Sequence, residues 1–217
     1  RDVAPSRGLG DVYKRQLDIL LSAKILHIGS ISLTDEPCRG ATMFAVKKAK
    51  ENGIIISYDP NYRESLWNSE AQAVEQMRSI IKYADIMKIS DEETELLTGE
   101  ADYECAAEKL ISQGVKIAAV TLGKNGAYVR TAEGGNLVSG FKNKAIDATG
   151  AGDAFWGGFL YSLAKSGKAP ENVTLSEAYS FADFGNATAS LCVESYGAIP
   201  AMPDMEAVCE KLGEERL

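Results

Sequence analysis

Residues 146–158 read IDATGAGDAFWGG. Gly150, Ala151 and Gly152 stand directly before Asp153, and an apolar, small-residue run follows. A helix N-terminus presents unpaired N–H groups and carries about half a positive charge. Glycines let the backbone come close to a bound anion. The three small residues can therefore form a pocket of amides for a phosphoryl group. Asp153 falls in the first helical turn, where an ionised carboxylate is favoured. Beside a phosphate pocket it can accept the proton of an alcohol that attacks the phosphorus. The same residues could instead end a turn and cap a helix, so the loop alone does not decide. Two other nucleotide patterns are missing. There is no GxxxxGK[ST] run, and GAGDAFWG lacks the third glycine of GxGxxG.

Such a loop needs elements to hold it, and the chain alternates strand and helix patterns from Leu17 onward. KILHIGSI (24–31), IIISYD (54–59), DIMKIS (85–90) and KIAAVTLG (116–123) read as strands. IIISYD is a continuous apolar run, the mark of a buried parallel strand. Helical spacing covers 36–53, with Ala41, Phe44, Ala45, Lys48 and Ala49 on adjacent turns and Gly53 as a C-terminal stop. Further helices are expected over 69–84, 91–99 and 103–114. GAYVRT and NLVSGF form a hairpin around AEGG. Three helices follow, beginning at DAFWGG, LSEAYS and PDMEAV. This alternation predicts one domain with a parallel sheet covered on both faces. In such sheets a ligand sits at the carboxyl ends of the strands. There the clusters SYDPNYR, KISDEE, VTLGKNG and DATGAGD converge.

Composition narrows the function classes. The 217 residues hold 31 acidic against 23 basic side chains, a net charge of −8, with no basic run to bind nucleic acid. No stretch approaches the ~20 apolar residues of a membrane span. Cys38, Cys105, Cys192 and Cys209 have no CxxC spacing and read as reduced thiols of a cytoplasmic protein, most of them core filler. His27 is the only histidine, which excludes a histidine-based metal site or a Ser-His-Asp triad. Following an apolar strand start, it reads as a packed or capped structural residue. Trp67 and Trp156 read as core, and Lys124 and Asn125 as solvated turn residues.

DATGAGDAFWGGF is similar to the DTxGAGD signature of the ribokinase-like (PfkB-type) carbohydrate kinase family, with Ala148 in place of the usual Thr. Other segments match in the family's order. YDPNYRESLW resembles the strand-end segment of fructokinases and 2-keto-3-deoxygluconate kinases. KISDEETELLTG resembles the NxxE segment, with Ser90 replacing Asn and Glu93 kept. TLGKNGAY resembles the nucleotide-contacting strand and its GxxG turn, and FGNATASL the helix flanking the adenine. The resemblance implies a three-layer α/β/α fold with a mostly parallel sheet. It also implies ATP-dependent phosphorylation of a sugar hydroxyl, closest in texture to fructokinases, with a 2-keto-3-deoxygluconate kinase as the alternative. Asp153 would be the general base and contact the sugar. Gly150, Ala151 and Gly152 would form the anion hole. Thr121, Gly123, Gly126, Asn186 and Ser90 would line the ATP site. Glu93 would act indirectly on Mg²⁺, and Asp147 would help hold a monovalent cation such as K⁺. Arg63 would approach the phosphates or an acidic end of the sugar. The full-length family member would be cytoplasmic and form a homodimer. Two other classes stay open, a non-catalytic nucleotide-binding module and a Rossmann-type oxidoreductase. Asp153 speaks against the first and the absent GxGxxG against the second.

The N-terminus departs from this pattern. RDVAPSRGLGDVYKRQ has no apolar periodicity, and DVYKRQ matches the translation of a transposase-end sequencing adaptor. Residues 1–16 are therefore expected to be non-native. Residues 17–217 are expected to be the C-terminal portion of the kinase domain, without the family's first strands and β lid. Such a piece should bind nucleotide weakly and phosphorylate no sugar efficiently. The strand KILHIGSI should then lie at a sheet edge.

Overall fold

The computed structural model describes residues 17–213; the N-terminal segment expected to be non-native lies outside them. Four strands, β1 (Ile25–Gly29), β2 (Ile55–Asp59), β3 (Ile86–Ser90) and β4 (Ile117–Thr121), run parallel in chain order. β5 (Gly126–Thr131) and β6 (Gly134–Ser139) form the expected hairpin and extend the sheet antiparallel, so its order is β1-β2-β3-β4-β5-β6. β1 pairs only with β2 and is the edge strand of the described sheet.

Successive side chains on a strand point to opposite faces, which divides the apolar residues into two cores. Met87 and Ile89 of β3, with Ala118 and Val120 of β4, face one helical layer. That layer comprises α1 (Cys38–Glu51), α2 (Glu70–Ile81), α3 (Thr94–Thr98) and α4 (Tyr103–Ser112). Ile86, Ile117 and Ala119 face the other layer, α5 (Ala151–Ser166) and α6 (Leu175–Cys192). A last helix, α7 (Met205–Lys211), packs on α6. The result is the three-layer α/β/α arrangement. Helix starts follow local capping chemistry: Ser69 accepts from the Gln72 amide, and Thr174 with Glu177 forms a capping box at α6.

The helical spacing over 36–53 is realised as α1, whose buried stripe is Val46 and Ala49, with Phe44 56 % exposed. One sequence expectation needs correction. The cysteines are not mainly core filler. Only Cys192 is buried, and Cys38, Cys105 and Cys209 lie at the surface on outer helix faces. Trp156 does sit in the core, stacked on Phe159 at 4.8 Å. Lys124 and Asn125 are exposed turn residues, as expected.

Candidate active site

α5 begins at the carboxyl edge of the sheet, and its entry turn is tightly built. Gly150 takes the N-cap with φ 81°, and a Cβ there would stand 2.5 Å from the Ala198 Cβ. Both the backbone conformation and the space demand glycine. Asp147 holds the preceding loop. Its Oδ1 accepts from the Thr149 amide (2.9 Å) and hydroxyl (2.6 Å), and its Oδ2 from the Gly197 amide (2.9 Å). These bonds, led by the Thr149 hydroxyl, hold the Asp147 carboxyl below its usual range. The Ala151 amide donates to Ala148 O and the Ala154 amide to Gly150 O. The amides of Gly152 and Asp153 take no backbone acceptor among the described residues, which leaves two donors free at the helix start.

Two separate cavities are lined by adjacent residues of this turn, Gly152 and Asp153. A cleft of about 260 Å³ is lined by Ala151 and Gly152 together with Thr121, Gly123, Gly126 and Asn186. Phe141, Phe155, Ala189 and Val193 supply apolar walls suited to a planar base. Gly126 has φ 98°, and a Cβ on it would lie 2.1 Å from Val138 O, so the cleft wall depends on its absence. The Asn186 side-chain amide donates to Val138 O and Ser139 O, so this residue shapes the cleft by tying α6 to β6. On the other side of α5's first turn a cavity of about 270 Å³ is lined by Asp153, Arg63, Asn61, Asp59, His27 and Trp67, among others. Asp153 is exposed there and accepts no hydrogen bond from the described residues. Arg63 likewise has no ion pair among them.

Gly150, Asp147, Ser90 and Glu93 line neither cavity. Glu93, 7 % exposed, holds loops in place. Its Oε1 accepts from the Tyr62 amide (2.7 Å), while Oε2 accepts from the amide (2.8 Å) and hydroxyl (3.2 Å) of Ser90. It thus pins the segment carrying Asn61 and Arg63 to the end of β3.

Sequence reasoning missed a cluster beneath the two cavities. Lys88 of β3 donates to Asp59 Oδ2 of β2 at 2.7 Å, with side chains 7 % and 4 % exposed. A Cβ on Gly152 would lie 3.1 Å from Lys88 Nζ, so this buried ammonium sits against the anion pocket. Burial pushes the Asp59 carboxyl up to about 6; Lys88 opposes the rise, while Glu93 and Asp153 add to it. Asp59 Oδ1 is buried with no hydrogen-bond partner among the described residues. His27, read from sequence as structural, bonds Ser57 but is exposed and lines the same cavity as Asp153. Trp67 is half-buried and lines the same cavity. A signal did exist: Lys88 is the one charged residue within IMKIS, a strand otherwise buried on both faces. A charge at such a position needs a partner, and β2 offers Asp59 at its end.

Fold and site together define a mostly parallel α/β protein with two amides left free, among the described residues, at a helix start that has a cavity on either side. The family model described as pfkB family carbohydrate kinase matches residues 1–205. The chain belongs to that family. It is 45% identical over 188 residues to "Probable fructokinase-5" of Arabidopsis thaliana, covering 86% of this chain and 57% of the relative. It is 43% identical over 198 residues to fructokinase-2 of Oryza sativa subsp. japonica, covering 90% of this chain and 58% of that protein. The fructokinase of Vibrio cholerae O395, solved with fructose, ADP and calcium ion bound, superposes with a TM-score of 0.81 at 33% identity, over 88% of this chain and 61% of that one. The aminoimidazole riboside kinase of Salmonella enterica gives 0.77 at 30% identity, over 88% and 63%. The chain thus spans a little under three fifths of the curated relatives' length. No helix among the described residues is long and apolar enough to cross a membrane.

Proposed function

We propose that this chain carries the nucleotide-binding and catalytic portion of an ATP-dependent sugar kinase, with fructose as acceptor. The observation that carries the proposal is that two cavities are lined by the adjacent residues Gly152 and Asp153. The apolar cleft takes the nucleotide, and the polar cavity takes the sugar. The transferring phosphoryl group then lies at the helix start between them. Asp153, which accepts no hydrogen bond from the described residues, accepts the proton of the attacking hydroxyl. As the new O–P bond forms, the bond to the departing ADP breaks. The Gly152 and Asp153 amides and the Lys88 ammonium stabilise the charge on the phosphoryl oxygens. Positioning does most of the work in such transfers, since little covalent chemistry is left to the protein.

Mg²⁺ fits this arrangement. Asp59 keeps a buried oxygen without a partner among the described residues and faces the Lys88 ammonium, so it would be the group to hold the ion; Glu93, whose charge reaches Asp59 but whose oxygens are taken by Tyr62 and Ser90, would act only through water. The ion would neutralise phosphate charge. Asp147 accepts three hydrogen bonds of the roughly four its carboxylate can take, which leaves one site toward a monovalent cation. Its evident task is to pin the loop before α5.

Arg63 favours a second acceptor. A free guanidinium in the sugar cavity matches a carboxylate, as in 2-keto-3-deoxygluconate. A coupled ADP-release assay on the protein expressed from its complete gene, with both sugars, tests the proposal. Faster turnover of fructose is expected. A preference for the keto-acid transfers the assignment, and transfer to neither sugar overturns it.

A further inference from the structure

We propose that His27 binds the acceptor sugar directly, as a neutral imidazole whose Nε2–H donates to a sugar oxygen. The proposal rests on the kinase reading above and adds a residue to its acceptor site. The sheet's alternation places His27, Ser57, Asp59 and Lys88 on the face that carries α5, where Trp156 reaches down to Ser57. Ser57 is fully buried. Its Oγ accepts from Trp156 Nε1 at 2.8 Å and lies 3.0 Å from His27 Nδ1. An indole N–H can only donate, and a serine hydroxyl has one proton to give. Among the described residues, His27 Nδ1 is the one remaining partner for that proton. Were Nδ1 itself protonated, a fully buried hydroxyl would be left without an acceptor, which folded proteins avoid. Nδ1 therefore accepts, and the ring proton sits on Nε2.

Trp156 is 1 % exposed and wedged against Phe159, so the relay that orients the imidazole is anchored in the core. No side chain among the described residues bonds Nε2, and the ring lines the cavity shared by Asp153 and Arg63. Partial burial lowers the His27 pKa; the nearby Asp153 charge and the backbone of Ser57 oppose this, and Lys88 reinforces it. A neutral ring matters for Asp153. An imidazolium in the same cavity would pair with that carboxylate and weaken it as a base, whereas a neutral donor holds the sugar and leaves Asp153 free.

Two measurements test this. His27 is the only histidine of the 217 residues, so ¹⁵N-histidine labelling gives one unambiguous ring spectrum. Long-range ¹H–¹⁵N correlation should show a pyrrole-type Nε2 and a pyridine-type Nδ1, and Ser57→Ala should mix the tautomers. In the protein from its complete gene, His27→Ala should raise KM for the sugar about tenfold, the loss of one hydrogen bond, and keep KM for ATP within about twofold. His27→Gln, which keeps an N–H donor, should recover part of the loss. An Nδ1–H tautomer in the wild type overturns the proposal. So does an unchanged sugar KM in His27→Ala when the wild type is active, and that result leaves the kinase reading standing. A wild type that phosphorylates no sugar overturns both.

Discussion

Replacing Lys88 by methionine removes the buried ammonium while keeping a side chain of similar length. Breaking a buried ion pair by deleting one partner costs about 3–5 kcal/mol when the remaining charge has no escape. Asp59 has one, because it can take up a proton. Its carboxyl already stands at about 6 against an ordinary 3.8. At about 1.36 kcal/mol per pH unit, that difference costs the folded protein about 3 kcal/mol once the solution is well above pH 6. The sign follows from the raised value: the associated stability is present in full below 3.8 and is lost as pH rises through about 6. Without Lys88, the largest cost at pH 7 is that of keeping Asp59 protonated, about 4.4 kcal/mol. The variant's excess penalty is therefore at most about 1.4 kcal/mol at pH 7 and about 2.7 kcal/mol at pH 8, and it vanishes below pH 6. Protonation, not the bare ion-pair figure, sets the limit. Urea unfolding at pH 5, 7 and 8 should show this slope, with a Tm loss of about 3–5 °C at pH 7. The double variant Lys88→Met, Asp59→Asn should lose the slope. A penalty constant from pH 5 to 8, or a slope that survives in the double variant, would refute the reasoning.

Gly126→Ala drives a Cβ into Val138 O and forces a positive φ on alanine, so thermal unfolding should show a loss of about 2 kcal/mol or more, with weakened ATP binding. Glu93→Gln keeps one acceptor oxygen for two amides, those of Tyr62 and Ser90. Chemical denaturation should report a loss of about 1–3 kcal/mol, and sugar KM should rise because the Asn61–Arg63 segment loosens. The 217-residue chain by itself should show a small upward thermal shift with Mg-ATP and none with fructose, read by differential scanning fluorimetry.

The sheet was legible where chemistry is local. IIISYD and KIAAVT are apolar runs that only a strand buried on both faces needs, and both form such strands. The hairpin announced itself by AEGG, and the start of α5 by the glycines around Ala151. Ser69 and Thr174 mark helix starts that any reading of caps would find. What stayed hidden depends on the fold. Asp59 and Lys88 are 29 residues apart, and only adjacent parallel strands bring them together. Phe44 lies on an amphipathic helix whose phase is set by packing, not by composition. His27 carries no sign in its neighbours that it lines the same cavity as Arg63, which the resemblance had singled out. That adjacent residues Gly152 and Asp153 line different cavities is likewise set by the first turn of α5.

The central claim is that Asp153 takes the proton of the attacking hydroxyl, and Asp153→Asn tests it most directly. The substitution keeps shape and removes basicity. In the protein from its complete gene, steady-state phosphorylation of the preferred sugar should fall about 10²–10⁴-fold in kcat. Calorimetric binding of Mg-ATP should stay within about twofold of the wild type, because the nucleotide cleft is lined by Gly152 and not by Asp153. Near-normal turnover in Asp153→Asn would contradict the account.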